Sequence, residues 1–180
     1  MKKALLALNS IKQSGVIDDY AIGGAIAASF YIDAINTEDV DVFLFMSASE
    51  NSILMSLRPI YDALEQLGGR VEKEYIVIGD WPIQILPAYS PLVEEAILQA
   101  ITVQYGNIET RIFTAEHLCA IALDTGRMKD FYRVASFIEQ GKVDRLVLNQ
   151  MVIRYKLENR TKNVLNWSSD ENQQNQPCSS

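Results

Sequence analysis

Hydrophobic and polar positions follow two periods along the chain. Up to residue 113, short apolar runs typical of β-strands alternate with stretches of helical period, and glycine or proline separates them. The predicted strands are residues 16–22, 40–46, 70–78, 81–86, 101–105 and 109–113. The predicted helices are residues 4–13, 25–32, 60–67 and 91–100, followed beyond residue 113 by 115–124, 128–139 and 143–157. The pattern predicts a mixed-strand α/β (α+β) core in residues 1–113 and a small helical lobe in 114–167. Residues 168–180 are polar, without an apolar anchor, and we expect them to be disordered.

The strand predicted at 40–46 is apolar on both faces, which is typical of a central strand covered above and below. Asp39 and Asp41 flank Val40 at its start, and the period of two in a strand points both carboxylates to the same side. Magnesium is usually held by one or two carboxylates together with substrate phosphates. The pair therefore predicts a magnesium site that a nucleotide completes. The alternative is a solvated strand edge.

Gly23 and Gly24 lie between the strand predicted at 16–22 and the Ala-rich helix predicted at 25–32. A glycine pair in this position exposes backbone N–H groups near a helix start, where they can bind a triphosphate. Glycine pairs also mark ordinary turns, and by themselves these two residues do not distinguish the two interpretations.

Composition and charge exclude some classes of binding partner. The 180 residues carry a formal net charge of -7, which argues against a protein that binds bulk DNA or RNA, because phosphate-driven binding needs a basic surface. The two cysteines, Cys119 and Cys178, do not suggest a disulfide framework, so a reducing cytoplasm is expected. The N-terminus reads as an amphipathic helix, and we expect no membrane span.

Two motifs together resemble the nucleotidyltransferase superfamily, which has the DNA polymerase beta-like fold. They are Ile22-Gly23-Gly24 and Asp39-Val40-Asp41-Val42. The helical lobe adds Glu116-His117-Leu118 and Gly126-Arg127-Met128-Lys129-Asp130, which resemble strings in AbiEii/AbiGii-type toxin-like proteins and related uncharacterised bacterial nucleotidyltransferase-like proteins. The resemblance implies a nucleotidyltransferase-like mixed sheet with helices and a C-terminal helical lobe.

This resemblance implies transfer of a nucleoside monophosphate from a nucleoside triphosphate to an acceptor hydroxyl on RNA, protein or a small molecule. Asp39 and Asp41 would hold two magnesium ions. The residues that it assigns to the nucleotide are Gly23, Gly24, Thr37, Arg127 and Lys129. A toxin role with an antitoxin partner is a further expectation. Arg127, Lys129 and Asp130 equally fit a solvated helix start with local ion pairs. His117 is expected to be a packed or surface side chain rather than a catalytic base.

Gln84 is a departure from the family pattern, which places a third carboxylate on a later strand. It stands at the matching position, so we include it among the candidate catalytic residues with Asp39 and Asp41. An amide oxygen can ligate a metal or its water but cannot neutralise its charge, and it can equally cap a backbone group. The alternative function is therefore a catalytically impaired module on the same fold that binds a nucleotide or a partner.

Overall fold

The computed structural model describes residues 1–33, 37–45, 57–165 and 167. The chain divides into two compact units, Met1–Thr114 and Ala115–Ser180. Two sequence predictions fall outside the described residues: the strand end at Met46 and the disordered tail at 168–180.

A seven-stranded mixed sheet forms the centre of the first unit, in the order β3-β4-β5-β2-β1-β7-β6. Its strands are β1 Asp19–Ile22, β2 Val40–Phe45, β3 Arg70–Glu72, β4 Tyr75–Ile78, β5 Trp81–Pro87, β6 Ile101–Tyr105 and β7 Ile108–Ile112. β2 runs parallel to β5 and antiparallel to β1, while β1 runs parallel to β7. β2 thus occupies the middle of the sheet, as its two apolar faces predicted.

Four helices of the described residues belong to the first unit: α1 Lys2–Gln13, α2 Gly24–Ala28, α3 Arg58–Gln66 and α4 Pro91–Leu98. α3 contacts β3 and β4, and α4 contacts β2 and β1. Burial alternates along β4 and β5, where isoleucines are covered and their neighbours are half-buried. The covered set includes Ile76, Ile78, Ile83 and Ile85. The other face of these strands keeps solvent access, and the polar residues of the site lie there.

The second unit contains α5 Ala115–Thr125, α6 Met128–Glu139, α7 Arg145–Arg154 and the short α8 Glu158–Thr161. α5 contacts each of the other three helices, and its Leu118 and Leu123 are buried with Val134, Phe137 and Leu148. In the part of the chain that the structure describes, no helix combines the length and apolarity that a bilayer crossing needs.

The predicted fold class is confirmed, while several element boundaries differ. The single strand predicted at 70–78 is two antiparallel strands, because Lys73 adopts a left-handed conformation (φ 57°) and reverses the chain within the charged string Glu72-Lys73-Glu74. The helix predicted at 25–32 ends at Ala28. The helix predicted at 143–157 ends at Arg154, and α8 follows the left-handed Lys156 (φ 59°).

Candidate functional site

Asp39 and Asp41 lie at the start of β2, and both are half-buried. Asp39 immediately precedes the strand and Asp41 is its second residue, so the strand period places both carboxylates on one face. Their charges also act on a common neighbour. Desolvation raises the pKa of Tyr75, and the negative charges of Asp39, Glu74 and Asp41 raise it further. The structure therefore brings the predicted acid pair together on the face that keeps solvent access.

Gly24 lies directly against the carboxylate of Asp41. A Cβ built on Gly24 would lie 1.8 Å from Asp41 Oδ2, far inside van der Waals contact. The backbone of Gly24 is also left-handed, with φ 57°, a conformation that favours glycine. Only a residue without a side chain lets the carboxylate lie this close to the backbone at the start of α2. The turn therefore borders the acid pair at Asp41.

Gly23 has a different environment. Its N–H donates to the backbone oxygen of Asp41 over 2.9 Å, which ties the turn to β2. A Cβ on Gly23 would lie 2.5 Å from a ring atom of Phe43 and 2.9 Å from one of Phe113. The two rings have centroids 4.9 Å apart and are themselves buried. Gly23 therefore has a packing reason to be glycine, which the sequence motif alone did not reveal.

Gln84 pairs with Asp41 across the parallel β2–β5 ladder and with Tyr75 across the antiparallel β4–β5 ladder. Tyr75 in turn pairs with Glu72 on β3. Paired residues on neighbouring strands share a face and lie roughly 5 Å apart at the backbone. Asp41, Gln84, Tyr75 and Glu72 thus form a line across the sheet, which we call the polar row. The sequence predicted Gln84 as a site residue, whereas Tyr75 was not singled out.

Thr37 supports the acid pair. Its hydroxyl donates to Asp39 Oδ1 over 2.8 Å, which orients one carboxylate from the loop before β2. The sequence assigned Thr37 to the nucleotide. That assignment stays a prediction, and the contact observed is with Asp39.

Arg127 and Lys129 lie at the start of α6 in the second unit. The guanidinium of Arg127 donates to both carboxylate oxygens of Asp130, over 2.7 Å and 3.2 Å, and its backbone N–H donates over 3.3 Å. Asp130 is buried, while Lys129 is exposed. His117 is buried in α5, as expected for a packed side chain. The local ion pair that the sequence left open is present, and a nucleotide contact from Arg127 or Lys129 remains a prediction.

The donor set at β2 suits magnesium that arrives with a nucleotide. Asp39 and Asp41 supply two carboxylates on an accessible face, and magnesium completes its coordination with water and phosphate oxygens. Among the described residues, there is no cluster of three or more His, Cys, Asp or Glu side chains that could hold a metal. The two carboxylates fit a metal whose remaining coordination comes from water and triphosphate oxygens.

A scan against protein-family models and a search of curated proteins found no match to the sequence. Solved structures do match. An antigenic nucleotidyltransferase-like protein from Paracoccidioides brasiliensis is similar with a TM-score of 0.53 and 16% identity, covering 93% of this chain and 94% of that one. ANT(2'')-Ia in complex with adenylyl-2''-tobramycin gives a TM-score of 0.50 at 17% identity, over 86% of this chain and 98% of that one. The solution structure of the antibiotic-resistance factor ANT(2'')-Ia gives 0.50 at 16% identity, over 89% and 96%. The chain therefore has a nucleotidyltransferase-like fold.

Proposed function

We propose that this protein is a magnesium-dependent nucleotidyltransferase that moves a nucleoside monophosphate from a nucleoside triphosphate to an acceptor hydroxyl. One observation carries the proposal. The carboxylate of Asp41 lies against the side-chain-free backbone of Gly24, with Asp39 on the same strand face. A phosphate-binding turn beside two carboxylates is the arrangement that a metal-bound triphosphate requires.

Different residues bind the metal and the phosphates. Asp39 and Asp41 are the metal ligands, and the hydroxyl of Thr37 holds Asp39 in place. The triphosphate lies against the turn at Gly24, where glycine lets the backbone approach closely, while the N–H of Gly23 is taken by the backbone oxygen of Asp41. Magnesium, when bound, neutralises phosphate charge and stabilises the attacking and leaving oxygens.

The glycine turn and Gln84 lie on opposite sides of Asp41, and these positions set the direction of the transfer. The triphosphate tail lies at the glycine turn, on the β1 side of Asp41, and Gln84 lies on the opposite side, on β5. In-line displacement needs the attacking oxygen opposite the leaving pyrophosphate. The acceptor hydroxyl therefore enters from the Gln84 side, where the carboxamide accepts a hydrogen bond from it. Gln84 orients the acceptor but is not a general base, because an amide does not take up a proton at neutral pH.

The acceptor supplies the hydroxyl that receives the nucleoside monophosphate. ANT(2'')-Ia was solved with an adenylylated small molecule, so a small hydroxyl-bearing acceptor is compatible with this fold. The net charge of -7 disfavours a long nucleic acid. An RNA end or a protein remains in the proposal, as do the cytoplasmic toxin role and the antitoxin partner that the AbiEii/AbiGii resemblance implies.

The test is a transfer assay on the purified chain. Incubation with magnesium and each labelled nucleoside triphosphate, over panels of RNA, protein and small-molecule acceptors, should release pyrophosphate and label one acceptor class. EDTA and Asp41→Asn should each abolish the signal. If neither triphosphate binding nor pyrophosphate release exceeds that of Asp41→Asn, the proposal is wrong.

A second candidate is a nucleotide-binding or partner-binding module with impaired turnover. It is favoured by Gln84, which puts a neutral amide beside Asp41 where the family pattern has a carboxylate. Calorimetry would then show magnesium-dependent triphosphate binding without product. Gln84→Asp would create transfer activity in that case, whereas robust turnover by the unchanged protein would exclude this candidate.

A further inference from the structure

Tyr75 follows Gln84 in the polar row, on the side from which the acceptor enters. It pairs with Gln84, which pairs with Asp41, so Tyr75 and Asp41 are two strands apart, roughly 10 Å at the backbone. A tyrosine side chain standing on a sheet spans most of such a distance when it leans toward the neighbouring strand. Tyr75 is only half-buried, so a bound molecule can reach its phenol.

The electrostatic surroundings of the phenol support this placement. After desolvation, the charges that act on Tyr75 are those of Asp39, Glu74 and Asp41, and all of them raise its pKa. Both members of the acid pair thus lie within electrostatic reach of one phenol. Register and half-burial place Tyr75 on the face on which the metal and the nucleotide would bind.

The direction of transfer assigns this hydroxyl a chemical role. With the pyrophosphate leaving on the glycine side of Asp41, the attacking oxygen approaches from the side of Gln84 and Tyr75. Within the polar row as described, Tyr75 carries the hydroxyl, since Asp41, Gln84 and Glu72 have none. An intramolecular nucleophile held near its target gains a large effective concentration over a free acceptor.

We propose that Tyr75 is itself an acceptor, so that the protein nucleotidylates its own Tyr75; this inference rests on the proposed function. Tyr75 Oη attacks the α-phosphorus of the bound triphosphate, and an O–P bond forms. The bond between the α-phosphorus and the bridging oxygen breaks, and pyrophosphate leaves with the electron pair. The phenol proton passes to solvent water. The product is a tyrosyl nucleoside monophosphate diester.

Intact mass spectrometry of the protein tests the proposal. After incubation with magnesium and each triphosphate, wild type should gain the mass of one nucleoside monophosphate, and peptide mapping should locate it on Tyr75. Tyr75→Phe should gain nothing. Tyr61→Phe is the matched control and should be modified like wild type, because Tyr61 lies on α3, where its hydroxyl donates to the Glu74 backbone oxygen over 3.3 Å. The initial rate per molecule should not change with protein concentration, as expected for an intramolecular step.

The failures of the two proposals are distinguishable. Pyrophosphate release or transfer to an added acceptor, with unmodified protein or with the adduct on another residue, overturns the self-modification and leaves the transferase. Absence of both binding and release overturns the transferase and the self-modification together.

A second measurement does not depend on turnover. A triphosphate analogue with a non-cleavable α–β bridge, added with magnesium, should slow chemical nitration of Tyr75 at least several-fold. Tyr105 on β6, which is 37% exposed, serves as the internal reference and should react at an unchanged rate. Equal nitration of Tyr75 with and without the analogue, under conditions in which calorimetry shows the analogue bound, overturns the placement of this phenol at the site.

Discussion

Two charged clusters stand out in this chain, and they differ in what surrounds the carboxylate. At the start of α6, Asp130 is 1% exposed and accepts from the guanidinium and the backbone N–H of Arg127, with Arg133 3.7 Å away. At the start of β2, Asp39 and Asp41 are half-buried on a face that keeps solvent access, and Gly24 leaves the backbone beside Asp41 free of a side chain. A carboxylate buried against a cation on its own helix stabilises the fold. An acid pair on an accessible face suits a metal that arrives with a nucleotide.

The largest effect is expected at the acid pair. Asp41→Asn keeps the shape of the side chain but removes the charge that we propose holds the metal, so nucleotidyl transfer should fall by roughly 10²–10³-fold or more. The midpoint of thermal unfolding should change little. Pyrophosphate release and thermal unfolding, measured on the same preparation, check both statements.

Asp62→Asn provides the control. Asp62 lies on α3, where its carboxylate is 3.7 Å from the exposed Arg58 guanidinium, and such surface pairs contribute little to stability. An equal loss of transfer in both variants would mean that Asp41 has no special role.

Gly24 lies against the site and Gly23 lies against the core, so substitutions at the two positions should have different effects. In Gly24→Ala, the new methyl group displaces the Asp41 carboxylate, and the left-handed backbone adds about 1–2 kcal/mol of strain. In Gly23→Ala, the methyl group meets the packed rings of Phe43 and Phe113, which costs about 1–3 kcal/mol of unfolding free energy. We expect Gly24→Ala to lose triphosphate affinity beyond its loss of stability. Gly23→Ala should lose stability first and keep its affinity while folded.

Denaturant unfolding and calorimetry with a triphosphate and magnesium distinguish the two glycine variants. If both lose affinity in proportion to the fraction unfolded, the turn at Gly24 has no separate role in binding.

Arg127 belongs to the charged cluster at the start of α6. Arg127→Ala removes the guanidinium that pairs with the buried Asp130 and should cost about 1–2 kcal/mol, similar to the loss of a helix cap. If this pairing is the whole role of Arg127, triphosphate affinity should stay within a few-fold of wild type. The exposed Lys129 is the control, and Lys129→Ala should change neither quantity.

A large loss of affinity in Arg127→Ala with unchanged unfolding would show that Arg127 contacts the nucleotide. The local pairing with Asp130 would then not describe its role.

The sequence predicted the parts of the site that depend on local periods. Asp39 and Asp41 share a face because a strand repeats every two residues, and β2 is central because it is apolar on both faces. The contact between Gly24 and Asp41 was beyond such reasoning, because it depends on the β1–β2 register and on one left-handed backbone angle. Tyr75 was missed for the same reason. Its place beside Gln84 follows from strand pairing and from the turn at Lys73 that split the predicted strand.

The ion pair of Arg127, by contrast, was one of the two interpretations that the sequence left open. Asp130 lies three positions later in a helix start, which is the spacing of a local ion pair. Local spacing therefore included the contact between Arg127 and Asp130 among its alternatives, whereas the contact between Gly24 and Asp41 joins separate elements and cannot be obtained from local spacing.

The smallest effect is expected at Tyr20, a neutral polar side chain whose hydrogen-bond partners lie close by. Tyr20 is 1% exposed, donates to Asn9 Oδ1 over 2.7 Å and lies 3.1 Å from Thr110 Oγ1. Tyr20→Phe should cost about 1 kcal/mol of unfolding free energy at neutral pH. Transfer activity should not change.

The pH dependence of stability follows from the same burial, which raises the pKa of Tyr20 above its ordinary value of 10.0. The folded state then holds the phenol proton more tightly than the unfolded state does. This contribution is fully present below pH 10 and is lost as the pH rises through the folded-state pKa. Denaturant unfolding at several alkaline pH values should show a shallower decline for Tyr20→Phe than for wild type. The slope will not vanish, because the pKa values of Tyr61 and Tyr75 are also raised. Identical slopes would mean that Tyr20 ionises as readily in the folded chain as in the unfolded one, and that its hydroxyl is not enclosed by Asn9 and Thr110.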